Sequence, residues 1–136
     1  MVVSTKGRYA LRVIVDIAEH DKGEFIPLKD IAKRQNISLK YIEGIMTELS
    51  KANLVYGLHG KGGGYRLAVS PDKMTVKSIL DVTEKSLASV ACLKTEKNTC
   101  PNKDKCRTLP MWEQLDDMID GFLASVNISD LRDRKL

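Results

Sequence analysis

The chain has 136 residues, of which 43% are hydrophobic and 29% charged. This is enough for one folded domain with a small appendage, and the composition is that of a globular protein. No apolar run approaches the roughly 20 residues needed to span a bilayer, and the N-terminal MVVSTKGRYA has no signal-peptide core, so the expected location is cytoplasmic with no membrane partner. The net charge of +4 lies in the first half: residues 1–66 carry 11 Lys/Arg against 7 Asp/Glu, while residues 67–136 carry 11 of each. A basic head on a neutral body suits nucleic-acid binding.

Ser4 is placed to cap a first helix in which Tyr9, Ala10, Val13, Ile14, Ile17 and Ala18 recur at helical spacing. Its other side carries Lys6, Arg8 and Arg12, either a solvated face or phosphate contacts. Pro27 holds Phe25-Ile26 extended. Leu28–Gln35 then reads as a short helix, Asn36-Ile37 as a tight turn, and Ser38 as the cap of a helix running to about Ala52. Ile42, Ile45, Met46 and Leu49 form the buried stripe of that helix, leaving Lys40, Tyr41, Glu43, Gly44, Thr47 and Lys51 outward. Short helix, tight turn and capped helix make a helix-turn-helix, whose second helix can enter a major groove.

Leu54–Leu58 and Tyr65–Ala68 read as the strands of a hairpin with a glycine-rich tip, His59-Gly60-Lys61-Gly62-Gly63. Directly after a helix-turn-helix, such a hairpin is a wing. Glycine at its tip allows positive φ and close backbone approach to phosphate. The alternatives are a flexible glycine turn with no ligand and a nucleotide-binding loop; against the latter, GKGGGY lacks the P-loop spacing and trailing Lys-Ser/Thr pair and is followed by no helix. Ser70-Pro71-Asp72 is a turn, and Thr75 caps a helix through about Thr83.

Residues 92–108, CLKTEKNTCPNKDKCRT, have almost no apolar content and cannot order themselves by burial. The three cysteines of the chain, Cys92, Cys100 and Cys106, lie here. An odd number in this context argues against a disulfide framework, and gaps of seven and five residues do not match zinc sites. Three thiolates in a polar, cationic loop suit an iron–sulfur cluster with a fourth, non-cysteine ligand; free redox-active thiols are the competing chemistry. Pro110 opens a long helix with a broad apolar stripe that includes Trp112, Leu115, Met118, Phe122 and Leu123. That stripe is read as a dimerisation surface that also packs on the first helix. Ser129 is expected to cap a final turn. His20 and His59 stand alone, and no nucleophile–base pairing is evident, so no enzyme is expected.

Taken together, STKGRYALR at 4–12, PLKDIAKRQNISLKYIE at 27–43, GKGGGYRL at 60–67, the cysteine trio, and LPMWEQL and GFL within 109–123 resemble the winged-helix iron–sulfur regulators of the IscR family, which also includes NsrR and CymR. The resemblance covers nearly the whole chain. It implies a mainly α, winged helix-turn-helix head over residues 1–83, a cluster-binding loop over 84–108, and a dimerisation helix and tail over 109–136. It further implies a homodimeric transcription regulator, a repressor by expectation, on double-stranded DNA with an inverted-repeat operator. Ser38, Lys40, Tyr41 and Glu43 fall on the recognition helix, and His59, Gly60, Lys61, Gly62 and Gly63 on the wing. Cys92, Cys100 and Cys106 match the family's cluster ligands, with 2Fe–2S favoured over 4Fe–4S and iron–sulfur status, oxidative stress or nitric oxide as the signal.

Two features depart from the family pattern. Leu109 stands where IscR-like members have a ligating histidine, and Arg8 where NsrR-like members supply an acidic ligand from the partner, leaving Glu113, Asp116, a small molecule or water as the fourth ligand. The gap between the first two cysteines is also longer by two residues than in IscR proteins. His59 replaces a wing position that often holds arginine. Two rival readings are a cluster-free regulator controlled by thiol oxidation or by a partner enzyme of cysteine metabolism, and an iron–sulfur electron-transfer or carrier protein.

Overall fold

The computed structural model describes residues 2–136. Its elements in chain order are α1 (Thr5–Glu19), α2 (Leu28–Gln35), α3 (Leu39–Lys51), β1 (Val55–Leu58), β2 (Gly64–Leu67), α4 (Val76–Thr83), a 3-10 turn (Ala91–Leu93), α5 (Leu109–Ser125) and α6 (Ile128–Arg132). No helix among the described residues is long and apolar enough to cross a membrane.

The core is built around α1. Ala10, Val13, Ile14 and Ile17 bury against Ile31 of α2, Ile42, Ile45, Met46 and Leu49 of α3, Val55 of β1, Ile79 of α4 and Ile128 of α6. The expected caps are in place: Ser4 Oγ accepts from the Gly7 amide at 3.0 Å, Ser38 Oγ from the Tyr41 amide at 3.2 Å, and Thr75 Oγ1 from the Ser78 amide at 3.1 Å. Asn36, at φ 55°, makes the left-handed corner between α2 and α3, a conformation asparagine tolerates better than most residues.

One charged group sits inside this apolar frame. Asp16 of α1 is 1% exposed, and its carboxylate accepts from Arg34 Nη2 at 2.6 Å, Arg34 Nε at 3.0 Å and Gln35 Nε2 at 2.8 Å. The hydrogen bond to Asp16 holds the Arg34 guanidinium above its ordinary pKa. Both donors belong to the last turn of α2, so the fork fixes the first helix of the helix-turn-helix to α1.

The wing strands pair antiparallel, with Val55 opposite Leu67 and Leu58 opposite Gly64. A third segment joins them. Ile26 and Tyr65 exchange backbone hydrogen bonds of 3.0 and 2.9 Å, so the stretch before α2 lies along β2. That approach requires Gly64: at φ 147°, a Cβ there would stand 2.2 Å from the Ile26 carbonyl oxygen.

The C-terminal region differs from the sequence reading in two respects. The last turn is capped by Asn127, not Ser129, in a reciprocal box with Asp130. And α5 runs along α4, while α4 and α6 cover α1. Ile128 is more completely buried than any residue of α5, so α6 takes the place beside α1 that the long helix was expected to share. On α5, Met111, Leu115, Met118 and Phe122 are exposed, by 37% to 71%.

Asp16→Ala leaves the Arg34 guanidinium and the Gln35 amide without their buried acceptor. A loss of about 2–4 kcal/mol is expected in urea denaturation, the lower end applying because Arg34 reaches solvent. Asp16→Asn is expected to fall between it and the parent; no change in either would rule out a structural role for the fork.

Candidate nucleic-acid interface and cysteine loop

The outward side of α3 presents Lys40, Tyr41, Glu43, Gly44, Thr47 and Lys51, all exposed. Ser38 is also exposed at its N-terminus, where its Oγ accepts the cap bond from the Tyr41 amide and its hydroxyl proton can still donate. Tyr41 does not swing freely: its ring meets Tyr9 of α1 edge-on at 5.6 Å, and the Arg12 guanidinium lies 5.3 Å from the Tyr9 centroid. Arg12 is itself tied to Gln35, donating to both its side-chain and its backbone oxygen. Lys6 reaches across to Glu48 of α3 at 3.2 Å. Of the basic side of α1, open in sequence between solvent and phosphate contact, Lys6 thus braces α3 directly and Arg12 through Tyr9, while Arg8 stays exposed and donates to Thr5.

At the wing tip, His59, Gly60, Lys61 and Gly62 are exposed. Gly60 and Gly62 take φ of 92° and 75°. Gly63 is used internally: its amide donates to the Gly60 carbonyl at 3.0 Å, and a Cβ would stand 2.2 Å from the Leu58 carbonyl oxygen. The outward side of α3 and the wing tip therefore offer two separate sets of exposed polar and cationic groups.

The loop after α4 is anchored at its first residue. Glu84 accepts from the Ser4 amide at 2.6 Å and the Ser4 hydroxyl at 2.7 Å. Burial pushes the Glu84 carboxyl up, but the two Ser4 bonds and nearby Lys6 help bring its pKa below the ordinary carboxylate value. Gly7 makes room for this contact, since a Cβ at that position would lie 2.8 Å from Glu84 Oε2. Sequence reasoning missed the pair; the signal was a glycine inside an otherwise well-formed helix, at a cost of about 1 kcal/mol relative to alanine. Further on, the Ser89 amide donates to Asp116 of α5 at 2.9 Å.

Cys92 lies in the 3-10 turn, Cys100 follows a turn in which its amide donates to Asn98 Oδ1 at 2.9 Å, and Cys106 sits just before α5. All three are free and partly buried. The hydrogen bond with Thr108 Oγ1, with help from the Thr108 and Leu109 amides, lowers the Cys106 thiol pKa. Among the described residues, no three His, Cys, Asp or Glu side chains are gathered as a metal site. The donor chemistry nevertheless fits an iron–sulfur cluster: three free thiols share one loop of turns outside the packed core, and one is already eased toward thiolate. Of the acidic candidates for a fourth ligand, Asp116 is engaged by Ser89, whereas Glu113 is exposed.

Comparison with known proteins agrees with this anatomy. The Rrf2 family, described as "Iron-dependent Transcriptional regulator", matches residues 3–134. The HTH-type transcriptional regulator IscR of Aliivibrio salmonicida is 36% identical over 131 residues, covering 96% of this chain and 77% of its own. Among solved structures, T. potens IscR aligns at TM-score 0.77 with 32% identity over 100% of this chain and 89% of that one. CymR, the global cysteine regulator of B. subtilis, aligns at TM-score 0.80 with 30% identity over 98% of both chains. With its helix-turn-helix, wing and whole-length match, the chain belongs to the Rrf2 family and is a DNA-binding transcription regulator of the winged-helix fold.

Proposed function

We propose that the chain acts as a homodimeric repressor on an inverted-repeat operator and senses iron–sulfur status through Cys92, Cys100 and Cys106. The observation that carries the DNA half of this reading is the exposed face of α3 beside an exposed, cationic wing tip. Ser38, Lys40, Tyr41 and Glu43 read the major groove, and His59, Gly60, Lys61, Gly62 and Gly63 form the wing element that meets the backbone or minor groove. Dimerisation runs through α5, whose exposed Met111, Leu115, Met118 and Phe122 form an apolar stripe too continuous for a lone surface helix.

For sensing, the three cysteines hold the cluster, a 2Fe–2S centre in preference to 4Fe–4S. When bound, that group supplies a redox-active centre open to oxygen and nitric oxide. The rest of the device is protein. The cysteine loop begins at Glu84, Glu84 holds the cap of α1, and the first turns of α1 hold α3 through Lys6–Glu48 and Tyr9–Tyr41. A change in the loop thereby bears on the reading helix through packed, hydrogen-bonded groups. A second reading, regulation by thiol oxidation without a cluster, is supported by the lowered Cys106 pKa and by the likeness to CymR.

Operator affinity is expected to fall steeply with salt, and Lys61→Ala to reduce the slope of log K against log salt by about 1 while weakening all sequences alike; a flat salt response would overturn the DNA contacts assigned here. Anaerobically prepared protein is expected to carry iron and acid-labile sulfide with a visible absorption band, both lost in Cys92→Ala. Colourless, iron-free protein after reconstitution would decide for the thiol reading. Phe122→Glu combined with Met118→Glu is expected to shift sedimentation from dimer to monomer without changing the circular dichroism of the head, and an unchanged dimer would remove α5 from the interface.

A further inference from the structure

Ser4, Ser38, Thr75 and Asn127 each accept a backbone amide of the helix they open. Thr108 holds the same position at the start of α5, yet its side chain makes no cap hydrogen bond. The backbone shows why. The other four residues are extended, with ψ between 140° and 169°, which turns the side chain over the first helical turn. Thr108 is already helical, at φ −92° and ψ −14°. Its carbonyl takes the Met111 and Trp112 amides at 3.1 and 3.2 Å, and its hydroxyl is left for another partner. That partner is the Cys106 sulfur, 3.3 Å away.

The three thiols are unequal in this respect. Among the described residues, Cys106 is the one cysteine whose sulfur has a side-chain hydrogen-bond partner; at Cys100 the bond to Asn98 comes from the backbone amide. Between a thiol and a hydroxyl, either atom can donate. A sulfur bound to iron carries no proton, so in that state the Thr108 O–H is the donor and the sulfur the acceptor. Reduction adds negative charge to the sulfurs of an iron–sulfur centre. An O–H aimed at one of them therefore stabilises the reduced form more than the oxidised form.

Resting on the reading of Cys92, Cys100 and Cys106 as cluster ligands, we propose that Thr108 is a positioning residue for the sensing centre: its hydroxyl orients the Cys106 sulfur and raises the reduction potential of the bound group. The residue thereby serves two elements at once. Its backbone carbonyl starts α5, and its side chain holds the last cysteine of the loop against that start.

The test uses the full chain, prepared anaerobically, as parent, Thr108→Val and Thr108→Ser. Valine keeps the branched shape and removes the hydroxyl; serine keeps the hydroxyl. Iron and acid-labile sulfide measure loading, circular dichroism measures the fold, and a redox titration followed by visible absorption gives the midpoint potential. Thr108→Val is expected to load as the parent does and to keep its helical signal, because no cap bond is lost. Its potential is expected to fall. Thr108 is exposed, so water weakens the bond, and the shift is set at about threefold in the one-electron reduction equilibrium, roughly 30 mV. Thr108→Ser is expected to stay at the parent value. An unmoved potential in loaded Thr108→Val overturns the assignment, as does an equal fall in Thr108→Ser, which would place the effect in the lost methyl group. Loss of iron in Thr108→Val that Thr108→Ser restores also overturns it, by making the hydroxyl a ligand. A parent that takes up no iron removes the cluster reading and this role with it; a loaded parent with no shift in Thr108→Val removes the role of Thr108 alone.

Discussion

Burial of Asp16 deprives its carboxylate of water, and the two donors that replace water come from one turn of α2. An ionised group in that position is tolerable only when its partners are held in place. The consequence is directional. Apolar packing of Ile31 against α1 would allow α2 to slide or roll by small amounts, whereas a forked guanidinium and an amide on one carboxylate allow a single orientation. The corner at Asn36 then passes that orientation to α3. The angle at which α3 leaves the body is therefore set by a buried polar contact, one that Gln35 links through Arg12 and Tyr9 to Tyr41.

A second set of contacts steadies α3 from the near side. Lys6 and Tyr9 of α1 touch Glu48 and Tyr41, and the cap of α1 is held by Glu84, the residue from which the cysteine loop departs. α1 is thus the common support of both halves of the molecule: its buried side carries the core, and its first turns lie between the cysteine loop and α3. Gly7 shows how close that junction is drawn.

Much of this was legible in the sequence because it is local. Periodicity identified α1, α3 and α4, side-chain oxygens at Ser4, Ser38 and Thr75 marked their starts, and a glycine-rich turn after a helix-turn-helix identified the wing. What was not legible depends on pairs distant in the chain. The apolar stripe of α5 says that the helix must be covered, but not that α4 lies beneath it while α6 lies beside α1. The bridge between Ile26 and Tyr65 has no sequence sign beyond an extended Phe25-Ile26-Pro27 and an extra glycine at 64. The true cap at Asn127 was written as an Asn with Asp130 three residues later, a signal of the same kind as those read correctly elsewhere. The cysteine loop is the least determined part, since its polar residues give neither periodicity nor a buried side.

The chain on either side of α4 and α5 is stitched together. The Val76 amide donates to Val126 and the Ile128 amide to Met74, both at 2.9 Å. The C-terminal end of the long helix is therefore not on a flexible tether but riveted to the start of α4 and so to the head. In the proposed dimer, two heads joined through α5 would behave as calipers with a locked hinge, measuring the distance between half-sites along the duplex. One base pair added between those half-sites would also turn the second by about a tenth of a helical turn, which such calipers could follow only by bending the DNA.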